Sequence, residues 1–104
     1  MVEYEMETMY LKTYKVNGEV LVAACDCEVM GKTFEEGELC LEVTSDFFGE
    51  DVVSAQELEV ALTDATIANM VGEKAVACAI KLDCVDGDCV LNIGGVPCAQ
   101  MVRM

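Results

Sequence analysis

MYLKTYKVNGEVLVAACD, residues 9–26, is the stretch on which the fold of this chain turns. Two runs rich in β-branched and aromatic residues flank Asn17-Gly18, the dipeptide that most readily supplies the positive φ angles of a two-residue type I′ turn. A hairpin with that tip sets Tyr14 opposite Leu21, Thr13 opposite Val22 and Tyr10 opposite Cys25. The second run is apolar on both faces from Val20 to Ala24, which places it inside a sheet rather than at an edge.

Working outward, EVMGKTFEEGE (residues 28–38) reads as an irregular link punctuated by Gly31 and Gly37. ELCLEVT then alternates, with Leu39, Leu41 and Val43 toward a core and Glu38, Cys40 and Glu42 away from it, the pattern of a half-buried strand. Ser54 and Glu57 have the spacing of a helix capping box. Behind them Leu58, Ala61, Leu62, Ala65 and Ala68 form an apolar stripe at helical spacing, which predicts a helix ended or bent at Gly72. EKAVACAIKL continues helically with Val76, Ala79 and Ile80 inward. DCVDGDC is a turn, VLNI a short strand, and GGVP a break before a last strand, CAQMVRM. The expected order is β-β-β-α-α-β-β. Strands and helices in separate runs predict an α+β fold, a two-layer sandwich with a mostly antiparallel sheet and helices packed on one face. Residues 1–8 read as an acidic lead-in and residues 9–104 as one domain.

Composition narrows the function. Hydrophobic residues make up 54% of the 104, enough for one packed core in spite of a formal net charge of −14. No apolar run is long enough to span a bilayer and the start has no secretory pattern, so a soluble, cytoplasmic protein without membrane contact is expected. Residues 1–60 carry 15 acids against 3 bases, whereas from Cys89 onward the only charged side chain is Arg103. Six basic residues offer little counterion release on nucleic acid, so structured RNA is disfavoured as a partner. The acids are scattered and form no dedicated run, which fits adaptation to a salty cytosol better than a surface reserved for a basic partner.

Four segments, EVLVAACD, GKTFEEGELCLEV, ATIANMVGEKAV and VLNIGGVPCAQMVRM, resemble the archaeal family called domain of unknown function 424. The likeness runs over residues 9–104. It implies a small archaeal cytoplasmic α+β protein and no assigned catalysis. The family pattern implied at the end of the chain is Gly-Val-Pro-His-Ala-Gln, where this sequence has Cys98, so a role that needs an imidazole does not carry over.

The candidate chemistry is sparse. Seven cysteines are an odd number, no C-x-x-C pair occurs and there is no histidine. That removes Cys₂His₂ zinc sites and the Ser-His-Asp and Cys-His catalytic arrangements. Cys25-x-Cys27 offers two thiols with the spacing of a soft-metal pair, and Cys98 is the third member of the alternative zinc or iron thiolate site, although packing as small buried hydrophobes explains these thiols better. Asp86-Gly87-Asp88 lacks the further ligands of a calcium loop. Lys32 and Thr33 echo the end of a phosphate loop, but Asp26 stands where that loop needs glycine. Asn69 reads as an aid to helix termination near Gly72.

The ending is more informative. Gly94, Gly95, Pro97, Cys98, Gln100 and Arg103 place varied chemistry on one acid-free segment. Either the segment is an interior strand with its turn, or it is a surface kept clear of carboxylates for docking. The reading that follows is a non-catalytic binding or adaptor domain contacting a protein partner, a second copy as a homodimer, or structured RNA through Gly94–Arg103. A thiolate metal or redox protein using Cys25, Cys27 and Cys98 is the alternative.

Overall fold

β1 (Thr8–Val16) and β2 (Glu19–Asp26) form the hairpin read from the sequence. Tyr14 pairs with Leu21, Thr13 with Val22 and Tyr10 with Cys25. Asn17 and Gly18 both take positive φ, 52° and 82°, as a type I′ turn requires. The computed structural model describes residues 8–103, so of the acidic lead-in expected over residues 1–8 only Thr8 lies among the described residues.

The link after β2 is more ordered than its sequence suggested. A 3₁₀ turn at Cys27–Val29 leads into β3 (Thr33–Glu36), which pairs antiparallel with β4 (Leu39–Glu42) as a separate two-stranded ribbon. Phe34 is the one apolar residue of β3, too little to give a periodic signal. Leu39, expected inward, is 51% exposed beside the ribbon's turn, where it pairs with Glu36, while Val43 is buried as expected. A single helical turn, α1 (Ser45–Phe48), and β5 (Val52–Ser54) follow.

α2 (Ala55–Asp64) begins at Ser54 with the capping box intact: Glu57 N donates to Ser54 Oγ at 3.2 Å and Ser54 N donates to Glu57 Oε1 at 2.9 Å. The expected continuation to Gly72 is corrected by the structure. The helix ends at Asp64, and Ile67–Val71 is a strand, β6, lying between the two long helices in the chain. Ala65 and Ala68 fit helical spacing as well as they fit a strand, and only burial within a sheet separates the two. The β-branched Thr66 makes the switch, with its N–H donating to Val20 O at 2.8 Å and its Oγ1 accepting from Val20 N at 2.9 Å. α3 (Glu73–Lys81), a 3₁₀ turn at Gly87–Cys89, β7 (Leu91–Ile93) and β8 (Val96–Val102) complete the chain. Val76 and Ala79 of α3 are buried as expected, but Ile80 is exposed and Ala75 and Cys78 face the core instead.

Six strands form one sheet in the order β5-β1-β2-β6-β8-β7, with β2 and β6 parallel and the other neighbours antiparallel. The fold is therefore α+β with a mostly antiparallel sheet. β8 lies between β6 and β7, so the acid-free ending is interior to the sheet where β7 pairs with it, from Val96 to Cys98. Beyond Cys98, from Ala99 to Val102, no described strand pairs with the β7 side of β8. No helix among the described residues is long and apolar enough to cross a membrane.

The two faces of the sheet are covered differently. On one, Met9, Val22, Ala24, Ala68, Ala99 and Met101 meet Leu58 and Leu62 of α2 and Ala75, Val76 and Ala79 of α3. On the other, Ala23, Cys25 and Val71 meet Val29, Val43 and Phe48, and the ribbon and α1 cover only part of the area.

Candidate functional site

Strand alternation decides what the partly covered face presents. Ala68 and Met70 of β6, and Ala99 and Met101 of β8, belong to the core under the helices, so Asn69, Cys98 and Gln100 emerge on the opposite face. Asn69 and Gln100 are directly paired across the antiparallel β6–β8 ladder. Their carboxamides are adjacent on the floor of a groove of about 430 Å³, walled by Leu41 of β4, Phe47 and Phe48 of α1 and Leu91 of β7. That volume is within the roughly 300–1,000 Å³ usual for ligand sites. Neither carboxamide makes a hydrogen bond within the described residues, although Asn69 is half-buried. Such a group is favourable only if water or a ligand supplies partners. One carboxylate, Glu42, and no basic residue line the groove.

The position of Asn69 corrects the sequence reading, which had it at a helix end. The remaining tail candidates have separate roles. Gly94 and Gly95 form the β7–β8 turn beneath the ribbon, with Gly94 N donating to Glu36 Oε1 at 3.0 Å. Pro97 O accepts from Gly72 N at 2.9 Å. Arg103 is exposed, and its guanidinium is engaged within the chain: its Nη1 donates to Leu62 O, Thr63 O and Ala65 O at 3.2, 3.1 and 2.9 Å. It caps the carboxyl end of α2, where a cation also opposes the helix dipole. Lys32 is an exposed loop residue preceding β3 and lines neither this groove nor the cavities beside it.

The three thiols proposed for a metal are not gathered. Cys25 and Cys98 both pair with Val71, one on each side of β6, so a whole strand separates them. Cys27 Sγ is 3.7 Å from Thr8 Oγ1. Burial, with help from the neighbouring Asp26 and Cys27, pushes the Cys25 thiol up to about 12, and burial also raises Cys98. No group of three or more Cys, Asp or Glu among the described residues is placed to hold a metal ion. Cys25, Cys27 and Cys98 therefore do not fit zinc or iron as one site.

Asp26, noticed in the sequence only as a departure from a phosphate loop, is a buried carboxylate at 2% exposure. Its Oδ2 accepts from Lys74 N at 2.9 Å and its Oδ1 from Ala75 N at 2.8 Å. The carboxylate thus occupies the α3 amino end, where an external anion would otherwise be attracted. Burial raises its pKa, opposed by those two N–H donors. The approach requires Gly72: its φ is 107°, and a Cβ there would lie 2.4 Å from Asp26 Cγ.

Sequence reading missed Leu41, Phe47 and Leu91 as groove walls and Asp26 as a cap. The one visible signal was Phe47-Phe48, two aromatic residues in an otherwise polar stretch.

A protein of similar architecture is the uncharacterized conserved protein from the archaeon Methanopyrus kandleri, whose crystal structure superposes with a TM-score of 0.75 at 19% identity, covering 93% of this chain and 95% of that one. This likeness concerns the fold. No curated protein matches the sequence. The profile of one family matches residues 14–104, nearly the whole described chain, and on that match the chain belongs to the family described as Protein of unknown function (DUF424).

Proposed function

We propose that this chain is a non-catalytic binding domain, and that its working surface is the groove floored by Asn69, Cys98 and Gln100. The observation that carries this reading is the pair of unengaged carboxamides side by side in an apolar cleft. Two amides offer donors and acceptors in fixed array, while the surrounding Leu41, Phe47 and Leu91 supply area for desolvation. The floor holds no histidine, and its half-buried thiol is shifted away from the thiolate form, so the arrangement favours recognition over bond-making. The partner is another protein. Nucleic acid would meet a groove without a cation on a chain of net charge −14, and a second copy would bring the same charge.

Titration of ¹⁵N-labelled protein with neutral fragments that join a carboxamide to an apolar ring tests the site. The side-chain NH₂ signals of Asn69 and Gln100 should move together with the backbone amides of Leu41 and Leu91. The shifts should vanish in the Asn69→Ala/Gln100→Ala variant. Fragments that consistently move signals elsewhere and leave these four still would overturn the assignment.

A further inference from the structure

We infer that the groove takes an extended peptide segment of a protein partner, apolar at alternate positions and flanked by Lys or Arg; the inference rests on the groove being the working surface. Its first support is shape. A second cavity of about 380 Å³ adjoins the groove and shares Phe47 with it, and is lined by Tyr14 and Val16 of β1, Leu21 of β2 and Ile67 of β6. Together the two hollows form an open trough crossing β1, β2, β6, β8 and β7 in sheet order. Four strand spacings of about 4.8 Å make roughly 19 Å, the length of about six extended residues at about 3.3 Å each.

The second support is chemistry. Phe47 forms a ridge between the hollows, held by stacking on Tyr14 at 5.9 Å and by the Tyr14 hydroxyl, which donates to Phe47 O at 2.7 Å. An extended chain crossing this ridge drops alternate side chains into the hollows on either side. Its peptide groups, each one donor and one acceptor, match the mixed donors and acceptors of Asn69 and Gln100. Leu91 at 59% exposure and Val16 at 60% extend the apolar rim at opposite ends of the trough.

The third support is charge. Glu42 lines one hollow and Glu19 the other, and no Lys or Arg lines either. An acidic segment is repelled at both ends and a segment with basic flanks is attracted at both. A closed pocket for a small molecule would not need two open lobes, and a second copy would set carboxylates against carboxylates.

The test is selection of random dodecapeptides by mRNA display on the wild-type protein, with removal of those that also bind Asn69→Ala/Gln100→Ala. Recovered peptides should be net positive, alternate in apolar residues, and bind more weakly as salt rises. They should lose at least tenfold in affinity on Glu19→Lys/Glu42→Lys, a variant that leaves the carboxamide floor and the apolar walls untouched. Neutral or acidic peptides that move the Asn69 and Gln100 signals would sink the basic partner and leave the groove standing. Failure to recover any peptide, while the neutral fragments still bind, would overturn the peptide occupant alone. A concentration-dependent dimer broken by Gln100→Glu would assign the trough to a second copy instead. Silence of these amides toward peptides and fragments alike would remove both readings.

Discussion

The two faces of one sheet divide the work of this protein. Under α2 and α3 the face is closed, and both helices are fastened to it by charged side chains at opposite ends of β6. Asp26 at the end of β2 caps the amino end of α3, and Arg103 just beyond β8 caps the carboxyl end of α2. Each sign opposes the helix dipole it meets. On the other face the ribbon and α1 cover the sheet incompletely, and the same strands turn Asn69, Cys98 and Gln100 into a groove. Neighbours in sequence such as Gln100 and Met101 therefore have unrelated tasks. Charge on the closed face is spent within the molecule, while polarity on the open face is left for something else to satisfy.

The sharpest way to break that contrast is at Gly72. Gly72→Ala forces a Cβ onto the Asp26 carboxylate from a φ of 107°, and should lower stability by about 3 kcal/mol or more. Urea denaturation measures it, and an unchanged midpoint would mean that α3 is not anchored as described. Met101→Ala, on the closed face at 4% exposure, should cost about 2–4 kcal/mol. Arg103→Ala unties three carbonyls at the end of α2 and should cost about 1–2 kcal/mol. Faster amide exchange confined to the last turn of α2 would show that the loss is local.

A subtler contribution on the closed face depends on pH. Burial, the largest influence on Asp26, raises its folded-state pKa above that of an unfolded carboxylate, about 3.9. Stability linked to this group is then complete below the unfolded value and is lost as pH rises through the folded one. The gap between wild type and Asp26→Asn in urea should therefore shift in favour of wild type as pH falls from 7 toward 4. A gap moving the other way would show that the two N–H donors outweigh burial. The smallest effect belongs to the open face: Gln100→Ala should change stability by no more than about 0.5 kcal/mol. A loss as large as that of Met101→Ala would mean that Gln100 is part of the core after all.

Local signals were legible where a few adjacent residues decide the outcome. The Asn17-Gly18 hairpin, its register, the Ser54–Glu57 capping box and the exposure of Cys40 were all readable from the sequence, because turn geometry, helix capping and strand alternation act within a few residues. Of the site, Asn69, Cys98 and Gln100 stood out one by one but not as a set: Asn69 as a helix end, Cys98 in the tail and grouped with Cys25 and Cys27, Gln100 in one segment with Arg103. ATIANMV carries both a helical and a strand period, and only its place between β2 and β8 resolves the ambiguity. Pairing across 31 positions of chain sets Asn69 beside Gln100, and packing across 46 sets Gly72 beneath Asp26. Short-range preferences thus determined the hairpin, the capped helix and the α+β class. The strand that replaced half a helix, the two charged caps and the groove were decided by long-range burial, in which a residue's role follows from the face it is given and the neighbours the sheet brings to it.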